Sequence, residues 1–235
     1  MIAAPEDQAR AQLEAAARQI VASVRHALEA RHEETPTDRA EFTDRDVASY
    51  EATTRELESL GFRMLGAYEV AATRTGPLAE RNFGEYALSG DGTVIANWFA
   101  LRSKSGARET LVFQSFLVDE RVVVTARGLT DVGLPYAPGR ALVVEADRPP
   151  AGVLLGTHRS RLIADGTLAR SFLDIGEILA ARLDSARRTA EYRRTLGIGV
   201  YESVLRKRFG DDPQRIGAAL LAVIRAHPEW YAPTG

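Results

Sequence analysis

The feature that most constrains this chain is a block of strand-like segments whose connections are too short for anything but antiparallel pairing. Phe62 to Ala72, Arg81 to Ser89, Thr93 to Ser103, Glu109 to Val118 and Arg121 to Arg127 are rich in β-branched and aromatic residues. Ser89-Gly90-Asp91-Gly92-Thr93 supplies a hairpin turn, because glycine tolerates the positive φ that a tight reversal needs. Lys104-Ser105-Gly106-Ala107 and Asp119-Glu120 supply two more. The order predicts an antiparallel meander of five strands, or of six if Ala141 to Glu145 joins after the loop through Pro135 and Pro138.

A sheet with one wet face alternates apolar and polar residues along each strand. These strands do not. Val94, Ala96, Trp98 and Ala100 share one face while Ile95, Phe99 and Leu101 share the other, and Val122-Val123-Val124 is apolar on both. Both faces of the middle strands are therefore expected to be covered, by helices, by a partner subunit or by an apolar ligand.

Helical periodicity frames the block. Leu13, Ala17, Ile20, Val24 and Leu28 draw one narrow apolar stripe along a helix from about Glu6 to Glu33, a pattern that fits pairing with another helix or a dimer seam. Glu33 to Glu41 contains Pro36, has no periodicity and reads as a linker. A second helix is expected from Asp44 to Leu60, capped by Thr43 or Asp44 and closed by Gly61. After Pro149-Pro150 the helical period returns, through Val153, Leu154, His158 and Leu162, then from Leu168 to Tyr192 and from Gly197 to Phe209. A last helix is signalled by Asp211 or Asp212 and Pro213 and stops at His227-Pro228. The fold class is α+β, with an N-terminal helix and linker (1–42), a core domain (43–165) and a C-terminal helical extension (166–235).

Composition removes several classes of chemistry. There is no cysteine, so disulfides, thiolate nucleophiles and cysteine-based metal sites are excluded. No run approaches the ~20 apolar residues of a membrane span. Met1 to Asp7 lacks a basic start followed by an apolar run, so no export signal and a cytoplasmic location are expected. Charge is unevenly placed. Met1 to Leu60 carries thirteen acidic residues and seven arginines, a balance of −6, whereas Ala181 to Arg208 carries eight basic residues and three acidic, a balance of +5. The two regions are expected to meet, within one chain or between two.

No catalytic spacing outweighs its structural explanation, and no catalytic residue is assigned. His26 and His32 are six residues apart, about 240° around a helix, and cannot chelate one ion together; no metal or other cofactor is expected. No GxSxG, Walker or dinucleotide pattern occurs. His158, beside Arg159 and Arg161, is a candidate anion or ester site against a packing role. Glu85, between Gly84 and Tyr86, faces a pocket or water, and Trp98 lines a pocket or fills the core. These three are the candidate ligand-binding residues. Leu13, Ile20, Val24, Leu28 and the terminal pair Trp230-Tyr231 are the candidate interface residues. The arginines between Arg187 and Arg208 fit a solvated helix face better than a nucleic-acid site.

The order Leu60-Gly61-Phe62-Arg63-Met64-Leu65-Gly66, a glycine-turn hairpin, a strand ending near Thr125, then Leu154-Leu155 and His158 resembles a family of uncharacterised bacterial proteins. It spans Leu60 to Leu162 and implies no activity. The sequence therefore points to a non-catalytic interaction or binding module, self-associating or joined to another protein. The alternative is an enzyme or carrier for a small apolar ligand held against the sheet.

Overall fold

The computed structural model describes residues 5–29, 33–42, 47–70, 82–103, 106–129, 131–210, 212 and 216–231. In chain order the elements are α1 (Pro5–Glu29), β1 (Glu34–Thr37), α2 (Val47–Ser59), β2 (Arg63–Val70), β3 (Phe83–Leu88), β4 (Ile95–Ser103), β5 (Gly106–Phe116), β6 (Val122–Arg127) and β7 (Arg140–Glu145). Four helices follow: α3 (Ala151–Asp165), α4 (Ile175–Leu196), α5 (Gly199–Phe209) and α6 (Ile216–Ala226). They form two compact units, one of residues 31–130 and 138–186 and one of 1–30, 131–137 and 187–235.

The first unit is built on a seven-stranded sheet in the order β1 to β7. It is α+β, as the strand pattern predicts, with two corrections to the strand count and direction. The segment taken for a linker contributes β1, which pairs antiparallel with β2 through Thr35 to Glu69 and Thr37 to Ala67. Its proline and polar composition hide it, yet an edge strand bonds on one side only and tolerates Pro36 there. The second correction is β7, which runs parallel to β6. The residues from Gly128 to Gly139 separate these two strands, enough chain to return to the starting end, so the short-link argument for antiparallel pairing does not reach them.

Local chemistry sets the turns. Asp91 Oδ1 accepts from Ser89 Oγ (2.6 Å), Thr93 N (3.0 Å) and Thr93 Oγ1 (2.9 Å), closing the β3–β4 hairpin. Gly92 sits at φ +74°, and a Cβ there would come within 2.6 Å of the Phe172 carbonyl. The chain leaves α2 through Gly61 at φ +82°, with Phe62 N donating to Leu57 O (3.1 Å) and Gly61 N to Glu58 O (3.0 Å), the paired bonds of a glycine-stopped helix. Its Glu56 Oε1 accepts from Ala151 N (2.5 Å) and so supplies the cap at the start of α3.

Helices of the chain itself cover both sheet faces. On one, Phe83, Ala87, Ala96, Trp98, Leu111 and Phe113 pack with Tyr50 and Leu57 of α2 and with Ala151, Leu154 and Leu155 of α3. On the other, Tyr86, Leu88, Ile95, Phe116, Val122 and Val124 pack with Phe172 and with Ile178 and Ala181 of α4. Each fully buried side chain of this size contributes about 1.5–3 kcal/mol, so the doubly apolar strands are the main source of the unit's stability.

The second unit is helical. Ala17, Ile20, Val21 and Val24 of α1 bury against Val200, Tyr201 and Leu205 of α5 and Leu220 and Ile224 of α6. No helix among the described residues is long and apolar enough to cross a membrane.

Candidate functional site

The clearest site lies where β1, β2 and β3 meet α2. Strand alternation puts Glu85 on the face of Phe83 and Ala87, in register with Ala67 on β2 and Trp98 on β4. A carboxyl at a core position needs a donor for each oxygen, and Glu85 is only 3% exposed. Arg39, from the short 3-10 turn after β1, brings Nη2 to 2.5 Å from Oε1. That turn is itself capped by Asp38, whose Oδ1 accepts from Ala40 N at 2.8 Å. Thr54 Oγ1 of α2 lies 3.1 Å from Oε2 and 2.9 Å from its own helix's Tyr50 carbonyl. Burial pushes the Glu85 carboxyl above its ordinary range, against the pull of the Arg39 guanidinium and the Thr54 bond.

These groups line an open cleft of about 570 Å³. Its lining includes apolar Pro36, Met64 and Ala67 beside Thr37, Arg39, Thr54 and Glu85. An apolar surface with a few convergent polar groups is the usual make-up of a small-molecule site.

Of the three candidate ligand residues, Glu85 and Trp98 are direct cross-strand neighbours. Only Glu85 lines the cleft. Trp98 is 0% exposed in the packed core, and among the described residues its buried indole nitrogen has no hydrogen-bond partner. His158 is also 0% exposed, under α3. There Nε2 lies 3.0 Å from Ser115 Oγ and Nδ1 lies 3.0 Å from Thr125 Oγ1. Proton accounting settles the roles. The Ser115 hydroxyl donates to Thr93 O (2.7 Å), so it accepts the Nε2 hydrogen. Thr125 Oγ1 accepts from Arg161 Nη1 (2.7 Å) and donates to Nδ1. Burial, then the Arg161 and Arg159 charges, push the imidazole down to about 3, so it is neutral. The nitrogen facing Ser115 carries the proton, the wrong state for a base that would activate that hydroxyl. His158 orders a buried polar chain.

The sequence reading missed a second buried cluster on the opposite sheet face. Glu34 of β1 accepts from Arg182 Nη2 (3.0 Å) and Nε (3.3 Å) and from the Tyr86 hydroxyl, and Arg182 Nη1 reaches Gln114 Oε1 at 3.0 Å. Glu34 belongs to the acidic N-terminal stretch and Arg182 to the basic C-terminal one. The candidate interface residues Leu13, Ile20, Val24 and Leu28 pack in the helical unit's own core. Trp230 and Tyr231 are half-buried there, with Arg18 over the Trp230 ring (4.8 Å) and His227 stacked on it (4.1 Å). His32 and the cap residues Thr43, Asp44, Asp211 and Pro213 lie outside the described residues.

Arg39 and Thr54 are the cleft residues that sequence reasoning did not single out. The available signal was Glu85 itself, since its alternation with Phe83 and Ala87 demands a cation. Nothing in one dimension selects Arg39 from 30 basic residues. No protein-family model, curated protein or solved structure matches this chain.

Proposed function

We propose that this protein is a non-catalytic binding module whose cleft between β1, β2, β3 and α2 holds a small organic molecule. The single observation that carries the reading is the seat itself, a buried Glu85 carboxyl paired with the partly exposed Arg39 and the Thr54 hydroxyl, set beside an apolar floor of Met64 and Ala67. A ligand fitted to it lays an apolar body on that floor and turns a hydrogen-bonding group toward Glu85 and Thr54. One observation supports binding rather than catalysis: the histidine–serine contact has its proton on the wrong nitrogen.

Native mass spectrometry of protein purified without denaturation tests this reading. The expected result is a species heavier than 25.6 kDa, or a multiple of it, by a few hundred daltons, with the excess lost in Ala67→Phe, which fills the floor. A bare mass, together with no chemical-shift change at Gly66, Ala67 or Thr54 across a fragment library, would refute it.

A further inference from the structure

We propose that β1 and the turn after it, residues 34–41, form a flap over the cleft, anchored by Glu34, latched by the Arg39–Glu85 ion pair, and opened when Glu85 takes up a proton. This rests on the reading of the cleft as a binding site and adds how that site is regulated.

Among the described residues the flap's four-residue strand pairs only with β2, at the sheet edge, and Pro36, Thr37 and Arg39 carried by the flap line the cleft. Its two tethers differ in kind and lie on opposite faces of the sheet. Glu34, at the beginning, is 7% exposed at its side chain and takes three donor contacts from Arg182 and Tyr86. Arg39, at the far end, is 31% exposed and holds Glu85 through one close contact. The far end is the one that yields first, because a half-exposed partner regains water when the contact breaks while Glu34 would be left as a buried charge.

Glu85 has a second way to be satisfied. The Thr54 hydroxyl has one hydrogen and two acceptors in reach, Tyr50 O at 2.9 Å and Glu85 Oε2 at 3.1 Å. When that hydrogen serves Tyr50, a protonated Glu85 donates to Thr54 Oγ1 and no longer requires Arg39. The cleft is thus built to seat the neutral carboxyl as well as the ion pair. The direction in which burial moves Glu85 agrees with this. The other ionisable groups of the cleft, Asp38 and Glu41, stand on the flap beside Arg39. From the remaining elements, Met64, Gly66 and Ala67 of β2 and Thr54 of α2 line the cleft with Glu85, and Trp98 of β4 stands opposite it, none of them a carboxyl. A further buried carboxyl on the same sheet face, Glu69 of β2, stands in register with Phe83, and the Glu85→Gln variant separates its titration from that of Glu85.

Because the chain has no cysteine, Ala67→Cys places a single thiol opposite Thr37 under the flap. Its rate of modification by a small methanethiosulfonate, divided at each pH by the rate for the same variant unfolded in urea, reads flap opening. The ratio is expected to rise as the pH is lowered from 8 into the acid range, and at pH 8 to rise about tenfold on Arg39→Gln, with recovery in Arg39→Lys. Glu85→Gln is expected to label fast and without pH dependence. A flat profile, an unchanged rate in Arg39→Gln, or rates equal to those of a core thiol at Leu111→Cys would overturn the proposal. If Ala67→Cys does not fold, Met64→Cys serves at the same cleft. No ligand enters this measurement. An immobile flap with a retained ligand therefore defeats the flap alone, and a moving flap with no bound mass defeats the binding reading alone.

Discussion

The buried imidazole of His158 makes the sheet unit acid-sensitive, and the size of the effect follows from its surroundings. In the unfolded chain it titrates at its usual 6.5, and in the folded unit burial and two arginines hold it at about 3. A group whose folded value is depressed stabilises the fold above its unfolded value and loses that contribution as pH falls toward the folded one. Below pH 6.5 the unfolded chain gains a proton that the folded chain refuses, so stability declines by about 1.4 kcal/mol per pH unit. From pH 7.5 to pH 4.5 the loss from this residue alone is about 3 kcal/mol. His158→Gln removes the titrating group. It is expected to be less stable than the parent at pH 7.5, because a flexible amide does not restore both bonds to Ser115 and Thr125. Its urea-unfolding free energy should nonetheless fall by about 3 kcal/mol less over the same interval. Trp98 fluorescence in a Trp230→Phe background confines the signal to the sheet unit. Parallel profiles for parent and variant would refute the assignment of a neutral, proton-ordered histidine. So would an imidazole ¹⁵N signal from the parent at pH 5 showing both nitrogens protonated.

Two further outcomes test the packing. Gly92→Ala forces an L-residue to φ +74° with its Cβ against the Phe172 carbonyl, and a loss of about 1–3 kcal/mol is expected in urea titration; a neutral effect would contradict the close approach. Glu34→Gln and Arg182→Met should each destabilise by about 3 kcal/mol because each strands a buried partner, while the double variant costs less than their sum. Additive losses in that cycle would show that the pair is not coupled.

The strand block was legible because two local signals agree. Glycine at the β3–β4 turn and apolar residues on both faces of β4 to β6 each depend on a few adjacent residues. Short links then dictate antiparallel neighbours. The stripe of Leu13, Ile20, Val24 and Leu28 was legible as a buried helix face, but its partner was not, since α5 and α6 begin some 170 residues later. β1 escaped because three polar residues and a proline have no periodicity, and their strand character comes entirely from the open edge of β2. The cleft was half legible, with Glu85 read as facing a pocket or water and its partners Arg39 and Thr54 invisible.

By itself the sequence determined the class of fold, the antiparallel core, the need to cover both sheet faces and the absence of thiol chemistry, because each follows from composition or from contacts between near neighbours. Tertiary structure decided what covers those faces, the parallel direction of β7, the tautomer of His158 and the joining of Arg39, Thr54 and Glu85. Those outcomes depend on which distant groups pack together, and a buried charge or imidazole takes its protonation state from neighbours that lie tens of residues away along the chain.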